Sequence, residues 1–159
     1  MKAMVVYDSV FGNTEQVAQA MGRALGWPGD AEVRRVTEVQ PERLAGLELL
    51  IVGSPTRAFQ STPATRRLLR SIPAHGLEGV KVAAFDTRFS EEDLDSAILS
   101  FMVKLFGYAA KPIANRLRKK GGELALPPEG FIVEGTEGPL RRGELERAAD
   151  WARQLVAPR

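Results

Sequence analysis

Six consecutive residues, Ser9-Val10-Phe11-Gly12-Asn13-Thr14, concentrate the groups best suited to holding an anion. Ser9 and Thr14 bring hydroxyls, Asn13 brings an amide, and Gly12 allows a sharp turn. A helix is predicted to begin directly behind them, and the first N–H groups of a helix have no partner within it. A phosphate dianion can accept hydrogen bonds from both sets without needing a lysine, at the positive end of the helix dipole. The Gly-Lys-Ser/Thr ending of a triphosphate loop is absent, and so is the glycine fingerprint of a dinucleotide site. Taken alone, the same residue types also serve as helix caps and turn formers. Two further loops bear on the choice. One runs Ser54-Pro55-Thr56-Arg57-Ala58-Phe59-Gln60-Ser61-Thr62-Pro63, the other Asp86-Thr87-Arg88-Phe89, and Phe59 and Phe89 can offer apolar contact to a planar ring.

These loops need strands to position them. Ala3-Met4-Val5-Val6-Tyr7 and Leu49-Leu50-Ile51-Val52 are continuous apolar runs, the pattern of strands buried on both faces. Residues 80–85 predict a third such strand, with Asp86-Thr87-Arg88 as a polar break after it. Residues 31–36 predict a more exposed strand near the sheet edge, because Arg34 and Arg35 are charged. Residues 123–126 and 130–133 predict two short parts of a last strand, split by Pro127-Pro128. Helices are expected over residues 14–25, over 63–70 with Pro63 in the first turn, and from 141 or 144 to 155, with a brief one at 41–45. A long helical region should begin near Glu91 or Leu94, be interrupted at Pro112, and run to about Lys120. Alternating strands and helices predict a doubly wound, five-stranded parallel sheet in a three-layer α/β sandwich, with residues 1–159 forming one domain. In such a sheet the loops after the strand carboxyl ends converge on a ligand crevice.

Composition narrows the chemistry. With 44% hydrophobic and 26% charged residues, the chain has the makeup of a soluble globular protein. It holds no cysteine, which excludes disulfides, iron–sulfur ligation and thiol catalysis. Its single histidine, His75, is expected in a solvated surface turn, and no metal site is expected. The short apolar start suits a buried strand better than a signal peptide or a membrane span, so a cytoplasmic protein is expected. The net charge is only +2, yet no acidic residue occurs between positions 96 and 122, where Lys104, Lys111, Arg116, Arg118, Lys119 and Lys120 all fall. Such a stretch reads as a solvated helix face or as a dock for an acidic protein or a membrane. No zinc-finger spacing or RNA-binding aromatic motif accompanies it, so nucleic acid is not an expected partner. Phe101, Met102, Leu105, Phe106 and Tyr108 precede it as an apolar run, expected to pack on the sheet or to pair subunits. A monomer or small homo-oligomer is expected.

At these motifs the chain resembles the flavodoxin family. The likeness starts at Met4-Val5-Val6-Tyr7-Asp8-Ser9-Val10-Phe11-Gly12-Asn13-Thr14-Glu15. It continues through Val52-Gly53-Ser54-Pro55-Thr56 and Val82-Ala83-Ala84-Phe85-Asp86 to Pro128-Glu129-Gly130-Phe131-Ile132-Val133. The resemblance implies FMN as cofactor, with Ser9, Phe11, Gly12, Asn13 and Thr14 at its phosphate. Thr56, Arg57, Ala58 and Phe59 would then lie on one side of its ring, and Asp86, Thr87, Arg88 and Phe89 on the other. It implies electron transfer between protein partners, with no catalytic side chain of the protein's own. Carriers of that family are strongly acidic and usually place a tyrosine in the third ligand loop. Here the calculated pI is near 9.1, and Phe89 is the nearest aromatic in that loop. An acidic redox partner is therefore expected, docking near Arg116, Arg118, Lys119 and Lys120. The other functions considered are a flavin-dependent oxidoreductase acting on a quinone or haem precursor, and an interaction domain that has lost FMN.

Overall fold

Strand β1 (Ala3–Tyr7) is buried along its whole length, as its unbroken apolar run requires. The computed structural model of the chain describes residues 1–90 and 97–158. In chain order the further elements are α1 (Asn13–Ala24), β2 (Ala31–Arg35), β3 (Leu49–Pro55), α2 (Pro63–Ser71), β4 (Lys81–Phe89), α3 (Ala97–Phe106), α4 (Ala110–Lys119), β5 (Glu123–Leu124), β6 (Glu129–Val133) and α5 (Glu144–Val156). Two short 3-10 turns, Val36–Glu38 and Pro41–Leu44, link β2 to β3. The strands are parallel in the order β2-β1-β3-β4-β5, and β6 also pairs with β4. The fifth strand position is thus filled by two pieces, as the Pro127-Pro128 break predicts. The doubly wound five-stranded parallel sheet is the observed architecture.

Side chains alternate across the central strands and separate into two cores. Met4, Val6, Leu50, Val52, Val82 and Ala84 pack with Leu68 and Leu69 of α2 and Ile113 and Leu117 of α4. Val5, Ile51, Ala83 and Phe85 face the other way, onto Val17 and Met21 of α1 and Trp151 and Leu155 of α5. Helices cover both faces, which is why the strands are apolar on both. Gly53 answers to the same packing: a β-carbon there would overlap the Phe85 ring across the β3–β4 ladder.

Two expectations need correction. First, β4 does not end at Phe85. It continues through Asp86-Thr87-Arg88-Phe89, because Ser54 and Pro55 of β3 pair on one side and β6 pairs on the other. Second, Pro112 does not break the helical region. It lies in the first turn of α4, where the missing N–H costs nothing, and the break falls earlier, at Gly107 and Tyr108. The expected start of this region at Glu91 or Leu94 lies outside the described residues.

Residues Ala97–Lys119 have the length and composition of a membrane span. They form two helices, however, and Ala110, Ile113, Ala114 and Leu117 of α4 are buried. The apolar run in α3 does not pack fully: Ile98, Phe101 and Leu105 stay exposed, while Val103 is buried. His75 lies in an exposed turn, where its Nδ1 is 2.8 Å from Glu78 Oε1.

Candidate cofactor-binding site

At the carboxyl end of the sheet a single acidic side chain ties the loops together. Asp8, the residue after β1, accepts a hydrogen bond from the Ser9 N–H at 2.9 Å and one from the Thr62 hydroxyl at 2.5 Å. Arg35, at the end of β2, reaches the same carboxylate at 3.1 Å and also donates to the Ser9 carbonyl. Thr62 in turn caps α2 by accepting from the Thr65 N–H. Tyr7 donates to Glu15 at 2.5 Å, and burial together with that carboxylate pushes the phenol up to about 12. The first and second loops are therefore fixed to each other before any ligand is considered.

The first loop turns through Gly12, whose φ of 93° belongs to the left-handed region that favours glycine. The Ser9 hydroxyl accepts from the Gly12 N–H at 3.0 Å. No side chain caps α1 at Gly12, so the helix presents its first-turn N–H groups beside Asn13 and Thr14. Asn13 donates to the Glu137 carbonyl at 3.1 Å and so fixes the loop after β6. The Thr14 and Thr87 hydroxyls share a hydrogen bond of 2.8 Å.

The second loop is a tight two-residue turn. Arg57 and Gln60 exchange both backbone hydrogen bonds, at 2.8 and 2.9 Å. Ala58 and Phe59 between them have φ of 47° and 68°. A left-handed residue that is not glycine costs about 1–2 kcal/mol, and two in succession mark a turn held by its surroundings. Ala58→Gly is therefore expected to raise stability by up to about 1 kcal/mol, the strain relieved less the entropy of glycine. Ala58→Val should lower it, and urea unfolding of both variants checks the pair.

Behind the third loop lies a buried ion pair. Asp86 is fully buried, and both its oxygens accept from Arg88 at 2.6 Å. It also accepts from the Ala110 N–H at 2.9 Å, while Thr56 Oγ1 accepts from the Ala109 N–H at 3.0 Å. Thr56 and Asp86 together hold the amino end of α4. Burial keeps the Asp86 carboxyl above the usual range, and Arg88, the Ala110 N–H and Thr56 oppose that shift. The Arg88 guanidinium lies 3.7 Å from the centre of the Tyr108 ring.

These loops enclose a cavity of about 570 Å³, within the ordinary range for a cofactor or small ligand. Of the residues singled out by sequence, Ser9, Phe11, Asn13, Thr14, Thr56, Arg57, Ala58, Phe59, Thr87, Arg88 and Phe89 line it; Gly12 and Asp86 do not. Gly12 shapes the turn, and Asp86 sits one layer deeper and orients Arg88. The lining also takes in Val10, Pro55, Leu99, Val103, Tyr108, Val133 and Thr136, which were not among the expected ligand residues. Tyr108 had the clearest sequence signal, an aromatic directly after a glycine in an otherwise helical run. An uncapped helix start thus opens onto a space walled by Phe11, Phe59, Phe89 and Tyr108. Such a space suits a ligand that is flat and apolar at one end and anionic at the other.

Sequence comparison finds no matching protein-family model and no matching curated protein. Comparison of the coordinates decides the fold: flavodoxin 1 of Bacillus cereus superposes with a TM-score of 0.76 over 98% of this chain and 97% of its own, at 18% identity. The chain has the flavodoxin-like fold. A flavodoxin from the domain Archaea gives a TM-score of 0.69 at 24% identity, covering 99% of this chain and all of its own. Rubredoxin oxygen:oxidoreductase of Desulfovibrio gigas gives 0.73 at 18% identity over 97% of this chain, which spans 35% of that larger one. The flavodoxin-like fold puts the cavity at the carboxyl ends of the parallel strands, where open α/β sheets bind their ligands.

Proposed function

We propose that residues 1–159 act as one flavodoxin-like domain, a cytoplasmic FMN-binding redox protein that passes electrons between protein partners. The observation that carries this reading is the aromatic-walled cavity with the uncapped amino end of α1 at its edge. Ser9, Asn13, Thr14 and the α1 N–H groups would hold the phosphate; Phe59, Phe89 and Tyr108 would flank the ring. Bound FMN supplies the redox chemistry. The protein's own part is to bind, orient and shield, and Asp8, Arg35 and Thr62 keep the loops in place for it. The structural neighbours named as flavodoxins support the reading.

Charge sets the direction of the redox tuning. Arg88 is neutralised by Asp86, whereas Arg57 is exposed and sits at the cavity rim, with its guanidinium 5.9 Å from the Phe11 ring centre. A cation there favours a more negative, reduced cofactor. Arg57→Gln should make the reduction potential more negative by tens of millivolts, as expected for an interaction on the order of 1 kcal/mol near a protein surface. Potentiometric titration reads the shift, and a shift of the opposite sign would contradict it.

The partner would be acidic, since α2 and α4 carry Arg66, Arg67, Arg70, Lys111, Arg116, Arg118 and Lys119 and no acidic residue. The carrier reading predicts that the reduced, FMN-loaded protein gives up its electrons stoichiometrically to a small acidic acceptor protein. Sustained oxidation of NAD(P)H or quinol with a quinone as substrate would instead support the oxidoreductase.

A further inference from the structure

A second concave surface, of about 680 Å³, runs between α2 and α4 and meets the first at Ala58 and Phe59, which line both. Buried Leu69 and Ile113 contribute to its lining, as do Arg66, Arg70 and Arg116. Arg66 is held in place by donating to the Ser61 carbonyl; Arg70 and Arg116 are exposed. Among the described residues no carboxylate pairs with any of the three. Arg118, Lys119 and Lys120 follow Arg116 at the same end of α4 but do not line the groove, and the Lys120 carbonyl accepts from the Leu77 N–H. Of the cations at the end of α4, only Arg116 lines the groove.

Three guanidinium groups lining one groove with no carboxylate partner among the described residues, beside buried Leu69 and Ile113, call for carboxylates on an apolar-compatible backbone. Spacing narrows the choice further. Arg66 and Arg70 are four residues apart on a helix, about 6 Å along its axis. Alternate side chains of an extended chain are spaced about 6.6–6.8 Å apart. A segment with acids at every second position matches this spacing and can engage both arginines at once. We propose that the α2–α4 groove receives an extended acidic segment of a partner protein, with carboxylates at alternate residues, and so seats that partner against the Ala58–Phe59 turn. The groove's role in delivering electrons rests on the FMN reading; its affinity for the segment does not.

The test is titration of the full chain, with and without added FMN, with a dye-labelled Glu-Ser-Glu-Ser-Glu peptide at physiological salt. The R70E/R116E variant leaves the Arg66–Ser61 bond intact. K111E/R118E makes the same change of charge on exposed residues that do not line the groove. Peptide binding should fall at least tenfold further in R70E/R116E than in K111E/R118E, and a peptide with its glutamates adjacent should bind more weakly. Circular dichroism confirms that both variants fold. Equal losses in the two variants would overturn the proposal, as would the absence of peptide binding. Tighter binding to phosphatidylserine vesicles than to the peptide, or displacement of the peptide by millimolar inorganic phosphate, would overturn it as well. If the peptide result holds in a protein that takes up no FMN, the FMN reading fails and the groove stands.

Discussion

Arg88→Ala is expected to lower the free energy of unfolding at pH 7 by about 3–5 kcal/mol, the usual result of leaving a buried charge without its partner. Asp86 is fully buried and takes both of its shortest hydrogen bonds from Arg88. Only the Ala110 N–H and Thr56 would remain to it. The pH dependence has a definite sign. The carboxyl already titrates above its unfolded value because of burial, and losing Arg88 raises it further. The penalty is therefore fully present where the variant's Asp86 is ionised and shrinks as pH falls through that raised value. Asp86→Asn should cost less, since the amide oxygen can still accept from Ala110 and Arg88 is partly solvated. The double variant should be less damaged than the sum of the two single changes. Urea unfolding at pH 7 and pH 5 measures all of this. A loss below about 1 kcal/mol for Arg88→Ala, or one independent of pH, would mean that the pair contributes little.

The second large effect concerns the phosphate. FMN is expected to bind roughly a thousandfold more tightly than riboflavin, because hydrogen bonds to a charged group contribute about 1.5–3 kcal/mol each and two of them amount to about three decades of affinity. Thr14→Ala should weaken FMN by about tenfold and riboflavin by less. The variant also frees Thr87 from the 2.8 Å bond between the two hydroxyls, so a small loss for riboflavin is expected. Calorimetric titration of both ligands separates the two contributions. Equal weakening of FMN and riboflavin would remove the phosphate from the first loop.

Much of the fold could be read from one-dimensional pattern. Apolar runs in β1 and β3 needed no partner to declare themselves, and Arg34 and Arg35 already placed β2 at an edge. Thr87 and Arg88 misled because a polar stretch looks like a loop, yet pairing with β3 on one side and β6 on the other keeps it extended. Pro112 misled for a related reason: proline is costly inside a helix but fits its first turn, and only the backbone shows which applies. In the site, the lining residues of the first and second loops were legible because turn chemistry is local. Thr136 was not, since it reaches the cavity only through the packing of later elements, and Tyr108 showed only as an aromatic after a glycine. Asp86 carried the right chemistry and a different task, holding Arg88 and the start of α4 rather than lining the cavity. The α2–α4 groove was invisible as a unit, because Arg66 and Arg116 lie 50 positions apart and only the sheet brings them together.

The central claim, that the cavity between the three loops holds FMN, is tested most directly by titrating the purified protein with FMN and following flavin fluorescence. Saturable binding at one FMN per chain is expected, with a Kd of about 1 μM or tighter and the emission quenched by Tyr108 in the cavity wall. Unchanged fluorescence, together with a colourless protein that takes up no FMN, would contradict it.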